Sequence, residues 1–183
     1  TELQSLQTQA GTGKAELKLA NNIGDISKLS AAEEKKSETN QLLSNSQRVQ
    51  TDLEVTDVAF ERLQNLVVRL QELAVESAND TLTPDERKRF VGEASMIKSE
   101  LVDVANQKDN FGNSLFGGVS GAEKPFQQEA NGKVKYSGSS LAKEIQVTPG
   151  LAVRQNFSGL EVFQKINRSD GDFSVFEVVD DLI

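Results

Sequence analysis

From Leu42 onward the apolar positions of this chain return at alternating steps of four and three, through Leu42, Ser46, Val49, Leu53, Thr56, Phe60, Leu63, Val67, Leu70 and Ala74. That is heptad spacing, and it predicts an amphipathic helix with one seam. After Asn79-Asp80-Thr81-Leu82 the rhythm resumes with Phe90, Ala94, Ile97, Leu101 and Val104, so the two stripes are expected to fold back and bury each other. Local chemistry marks the break between them. Thr83 suits an N-cap, Pro84 suits the first helical position where its missing N–H costs nothing, and Glu86 closes a capping box with Thr83. Asn106 and then Gly112 mark the end of the second helix, with Lys108 expected in a last turn that favours positive charge.

Upstream of the seam, Ile26, Leu29 and Ala32 recur at helical spacing, and neither Pro nor Gly interrupts the chain before Ala78. A helix from about Gly24 to Ala78 would be roughly 80 Å long, which exceeds the width of a compact domain of this size. The expectation is therefore a rod, or a piece of a larger assembly. Residues 1–22 begin weakly helical at Leu3-Gln4-Ser5-Leu6-Gln7, and Gly11-Thr12-Gly13-Lys14 reads as a hinge in a terminal connector. A phosphate-binding loop would need a further glycine where Thr8 stands, and an apolar strand before it.

Past Asn110 the period changes. The apolar pair Leu115-Phe116 among glycines and asparagines reads as a turn into a short strand. Val134 and Tyr136, Ile145 and Val147, and Leu151 and Val153 alternate with polar or small neighbours, the pattern of strands with one wet face. Asn131-Gly132 and Pro149-Gly150 are turn dipeptides that would join these strands into an antiparallel meander, so 119–165 reads as a small β-rich insertion. The chain ends in helix, with Ser174 and Glu177 as a second capping box and Phe173, Phe176, Val179 and Ile183 on an apolar face. The helix stops at Ile183 without a cap, and a continuation packing on the open seam is expected. The fold class is α+β, a long antiparallel helical rod with a small β-rich outer domain. Its expected divisions are 1–22 as connector, 23–118 completed by 173–183 as the rod, and 119–172 as the β-rich domain.

Composition narrows the chemistry. The 183 residues hold no Cys and no His, which removes thiolate nucleophiles, sulfur-ligated metals, the usual general base and the commonest metal ligand. The carboxylate pairs Glu33-Glu34, Asp85-Glu86 and Asp180-Asp181 are adjacent, so on a helix they point about 100° apart and do not face one another. No catalytic, cofactor-binding or metal site is expected, and the chain does not read as an enzyme. A formal charge of −8 with one Tyr and no Trp argues against nucleic acid as a partner. No apolar run reaches the length of a membrane span, and Thr1-Glu2-Leu3-Gln4 lacks the basic start of a cleaved signal. Membrane association is not expected either. What remains is packing, and the seam positions expected to carry it are Leu53, Phe60, Leu63, Val67, Leu70, Phe90, Ile97 and Leu101.

Several stretches resemble one family. The run from Arg69 to Leu82, Asp85-Glu86-Arg87, Ala105-Asn106 and Leu115-Phe116-Gly117-Gly118 are similar to the spine of bacterial flagellin-type axial proteins, and Thr12-Gly13-Lys14 matches the motif where that family's terminal segment joins its rod. Pro125-Phe126, Lys133 to Gly138, Val147 to Gly150 and Asn156 to Phe163 resemble the branch that joins hook to filament more than flagellin. The resemblance implies a rod like the D1 domain of flagellin and a structural protein, exported through the flagellar type III channel without a cleaved signal. It implies an extracellular place in the flagellum and assembly into a ring that transmits torque. The implied partners are further copies of the chain, an adjacent hook-associated protein, flagellin and an export chaperone. In the family, helices from both chain ends form the inner coiled coil. The alternatives are a flagellin filament subunit and a surface-displayed binding module, whose signature would be a concave aromatic patch to which the single Tyr136 contributes little. On the packing reading, Phe60→Ala or Leu63→Ala should cost about 2–5 kcal/mol. Thermal melts check this, and a midpoint unmoved by either substitution would mean the seam is misregistered.

Overall fold

A computed structural model of the chain describes residues 14–78, 82–168 and 171–183 together with Gln4, the side chains of 14–22, 166–168 and 171–172 excepted. The hinge expected at Gly11-Thr12-Gly13 and the break at Asn79-Asp80-Thr81 lie outside the described residues. Helix α1 runs Lys14–Ser77 without interruption, as the absence of Pro and the single tolerated Gly24 allow. The chain divides into two units, Thr1–Ser44 and Asn45–Ile183. In the first, Ile23, Ile26 and Leu29 are exposed, and the polar face carries the ion pairs Lys28–Asp25 at 3.8 Å and Lys35–Glu38 at 2.7 Å.

In the second unit, helix α2 spans Pro84–Ala105 and opens as its sequence dictates. The Thr83 hydroxyl accepts from Glu86 N–H at 3.4 Å, and the Glu86 carboxylate accepts from Thr83 N–H at 2.8 Å. Asn106 is the C-cap, but Lys108 lies beyond it, bridged to Ser114, and the last turn of α2 holds no basic residue. Two charged rungs set the helix pair. Arg62 meets Glu100 at 2.8 Å and Arg69 meets Glu93 at 2.7 Å, so seven residues forward on α1 are seven back on α2, an antiparallel register. Bonds to Glu93 and then Glu72 push the Arg69 pKa further up.

The β region differs from the expected meander. Strands β1 (Phe126–Gln128) and β2 (Val134–Tyr136), β3 (Glu144–Thr148) and β4 (Leu151–Arg154), and β5 (Ile166–Arg168) and β6 (Gly171–Phe173) form three separate two-stranded antiparallel sheets. The physical reason lies between β2 and β3. Ser139 N–H donates to the Gly117 carbonyl at 2.9 Å and Val119 N–H donates to Leu141 at 2.9 Å, so this segment pairs with the 117–119 loop rather than turning β3 onto β2. Gly118 permits the approach: at φ +63° its Cβ would stand 2.5 Å from the Leu141 carbonyl oxygen. Nor do Leu115-Phe116 start a strand; both are buried in a loop that leads to a 3-10 turn at Gly118–Ser120. The turns at Asn131-Gly132 and Pro149-Gly150 do close hairpins, with Gly132 and Gly150 at positive φ.

Two short helices finish the unit, α3 at Gly159–Phe163 and α4 at Val175–Asp180. The sequence pattern did not indicate α3. The capping box of α4 is formed as expected by Ser174 and Glu177. The core joins the helix pair to a phenylalanine cluster: Phe116 packs on Phe163 at 5.1 Å, Phe163 on Phe126 at 5.0 Å, and Phe126 on Phe176 at 5.5 Å. Phe60 extends the cluster onto α1, edge-on to Phe116 and Phe157. Lys98, buried on α2, ties three elements together by donating to the Gly132 carbonyl at 2.6 Å and to the Asp180 carboxylate on α4. Asn106 does the same for β1, its amide accepting from Phe126 N–H at 3.0 Å and donating to the Phe126 carbonyl at 2.8 Å.

The capping box has a pH signature. Hydrogen bonds from the Thr83 side chain and then its backbone lower the Glu86 pKa. A lowered folded-state pKa stabilises the fold above the unfolded value of about 4.3 and loses that contribution as pH falls through the folded value. Glu86→Gln should therefore melt below the unsubstituted chain at neutral pH, with the gap narrowing in acid. Melts from neutral to pH ~3 test it, because a gap independent of pH would exclude the charged cap.

Candidate assembly surface

Helix α1 carries two apolar lines that share one edge. The shared line is Val49, Thr56, Leu63 and Leu70, seven residues apart. On one side stand Asp52, Ala59, Leu66 and Leu73, all buried. On the other stand Leu53, Phe60, Val67 and Ala74, of which Leu53 is 38% exposed and the other three are half-buried. Both combinations obey the heptad rule, since a step of three and a step of four from the same residue fall on opposite flanks of one stripe. Burial follows the flank of Ala59, Leu66 and Leu73, together with Ala94, Ile97, Leu101 and Val104 of α2.

On α1 the residues expected at the seam thus fall on the shared line, Leu63 and Leu70, and on the less covered flank, Leu53, Phe60 and Val67. Leu70, Ile97 and Leu101 are buried, Phe60, Leu63, Val67 and Phe90 are half-buried, and Leu53 is exposed. Ala59, Leu66 and Leu73 were missed, although the same three-four arithmetic run one residue earlier would have found them.

The less covered flank lines two grooves within the second unit. One, of about 700 Å³, lies between Val49, Leu53, Thr56 and Phe60 of α1 and Val147, Val153 and Phe157. The other, of about 420 Å³, lies between Val67, Leu70 and Ala74 of α1 and Val175, Val178 and Leu182. Polar side chains also line them, Gln50, Glu54 and Asp57 in the first and Gln71 and Asp181 in the second, but the walls are mainly apolar and follow a helical stripe, which suits another helix.

Among the described residues no three His, Cys, Asp or Glu side chains gather as a metal site, and no helix is long and apolar enough to cross a membrane. Tyr136 is half-buried, and its hydroxyl is engaged internally, within 3.0 Å of the Phe116 carbonyl and 2.8 Å of Ser139 while accepting from Gly159 N–H. It does not form the aromatic patch that a displayed binding module would use.

Comparison with known proteins adds a family. The family described as the bacterial flagellin N-terminal helical region matches residues 1–120. Flagellar hook-associated protein 3 of Salmonella typhimurium is 26% identical over 121 residues, covering 62% of this chain and 37% of that protein. The crystal structure of Xanthomonas campestris FlgL is similar with a TM-score of 0.69 and 32% identity over 75% of this chain and 45% of that one. Hook-associated protein-3 of Legionella pneumophila gives 0.72 and 26% over 78% and 43%. The chain spans 37% of the Salmonella relative's length and 29% of its Escherichia coli counterpart's.

The two flanks of α1 predict opposite responses to one chemical change. Leu66→Ala should cost about 2–5 kcal/mol and Leu53→Ala under about 1 kcal/mol. Denaturant melts of the two variants decide it, and equal losses would mean that both flanks are equally buried.

Proposed function

Because the chain belongs to the family of bacterial flagellin N-terminal helical regions, we propose that it is part of a structural subunit of the bacterial flagellum, the adaptor between hook and filament. The observation that carries this reading is the half-covered line Leu53, Phe60, Val67 and Ala74, a heptad flank long enough for a helix beyond α2. The junction role in particular is supported by the names its relatives carry. Those relatives are longer than this chain, and the occupant we assign to the flank is a helical segment of the same polypeptide outside these 183 residues.

In this scheme residues 1–22 lead to an inner coiled coil, 23–118 and 173–183 form the rod, and 119–172 project outward. The protein leaves the cell unfolded through the type III channel, held beforehand by an export chaperone. Outside the cell it forms a ring of its own copies between a hook-associated protein and flagellin. Torque then passes through packed side chains rather than through any reactive group, and no enzymatic step is involved.

A second reading, a flagellin filament subunit, is favoured by one observation, the flagellin family match over 1–120. Genetic replacement separates the two. The complete protein should restore attached filaments and swimming to a strain that lacks its junction protein and sheds flagellin into the medium, and Leu53→Asp with Val67→Asp should abolish that rescue while export continues. Rescue only of a strain lacking flagellin would replace the adaptor with the filament subunit.

A further inference from the structure

Four buried side-chain atoms of the second unit, Arg48 Nε, Asp52 Oδ1, Ser114 Oγ and Gln155 Oε1, have no hydrogen-bond partner within the described chain. Asp52, Ser114 and Gln155 are 2%, 6% and 5% exposed and line a single cavity of about 110 Å³. They come from three separate elements: α1, the loop after α2, and the segment after β4. One bond already links two of them, from Gln155 Nε2 to Asp52 Oδ2 at 2.8 Å. An unsatisfied buried polar atom costs about 1–3 kcal/mol, so three of them around one small polar cavity point to a ligand that supplies donors.

We propose that this cavity is a hydration site, in which bound water joins Asp52, Gln155 and Ser114. The chemistry selects water over a cation. A water molecule has two O–H groups, which suit the carboxylate and amide oxygens, and a lone pair that accepts the Ser114 hydroxyl. A cation would meet a charge already present: Arg48 Nε stands 3.9 Å from Asp52 Oδ2, and the Phe111 ring packs 4.7 Å from the guanidinium carbon. The other carboxylate lining the cavity, Asp109, is occupied by Phe111 N–H, Asn113 N–H and the Asn113 amide. At about 110 Å³ the cavity has room for about four waters at liquid density, well above the minimum that one water needs. The joint so formed connects α1 to the β region through polar groups where the phenylalanine cluster does not reach.

Crystals of the protein diffracting to high resolution should show a water about 2.7–3.1 Å from Asp52 Oδ1 and Gln155 Oε1. A dry cavity with the Arg48 guanidinium turned onto Asp52 would overturn the proposal, as would density with oxygens at about 2.3–2.6 Å, the distance of calcium. In solution, oxygen-17 relaxation dispersion counts long-lived internal waters, and Asp52→Leu with Gln155→Leu should lower that count by at least one; an unchanged count in the folded variant counts against it. Melting of the unsubstituted protein should not shift between millimolar calcium and a chelator, and a rise with calcium would assign the cavity to the cation.

Discussion

A helix can hide only one stripe against one antiparallel partner, and α1 carries more than one stripe's width. Its shared line of Val49, Thr56, Leu63 and Leu70 serves two flanks, and α2 with the loops beyond it covers only the flank of Ala59, Leu66 and Leu73. Ridge-and-groove packing leaves the opposite flank at the margin of the contact, where side chains are half in water. The rest of the second unit is arranged around that asymmetry. Phe157 and Val153 reach one end of the open flank, Val175 and Leu182 reach the other, and neither closes it.

Charge marks the register that apolar fit holds. The rungs Arg62–Glu100 and Arg69–Glu93 are solvent-exposed ion pairs, whose attraction water and salt largely screen. They nevertheless mark one register, since each arginine reaches a single glutamate of α2, while Arg69 is also held by Glu72 on its own helix. Lys98 is different in kind, a buried cation whose partners sit on the β1–β2 turn and on α4. Removing either partner would leave charge in a poorly solvated place, so those two elements are held to α2 by the cost of separating them.

The helices and their caps were legible because their signals are local. Thr83-Pro84-Asp85-Glu86 and Ser174 with Glu177 each write a complete start within four residues, and the structure forms both boxes. The strands around Val134, Ile145 and Leu151 were legible from period two. Their assembly was not, because whether β2 neighbours β3 depends on the backbone groups of Ser139 and Leu141 finding the distant 117–119 loop. Helix α3 escaped for a related reason: Gly159–Phe163 is too short to show a period, and Phe163 is fixed by rings from three other segments. On α1 the heptad rule identified the correct helix and the shared line, but it is symmetric between flanks. Only the partner helix breaks that symmetry.

Polarity along the buried flank says where the partner ends. The rungs at Arg62–Glu100 and Arg69–Glu93 bring Ala59 level with the last turn of α2, where Val104 and Ala105 are fully buried and a small residue lets the backbones approach. One heptad earlier stands Asp52, and by the same register it faces chain beyond Ala105, where α2 has stopped. An apolar residue there would find no helix to pack on. A carboxylate finds Gln155 instead, and the Thr56 hydroxyl one turn on is satisfied by the Asp52 carbonyl at 2.7 Å. The change from Leu66 and Ala59 to Asp52 along one line of α1 therefore marks the point at which helix-on-helix packing gives way to the β region. It also explains why the attachment there is hydrogen-bonded rather than oily: polar groups fix direction as well as distance, and a β region held only by a short apolar contact would have no reason to keep one orientation on the helix.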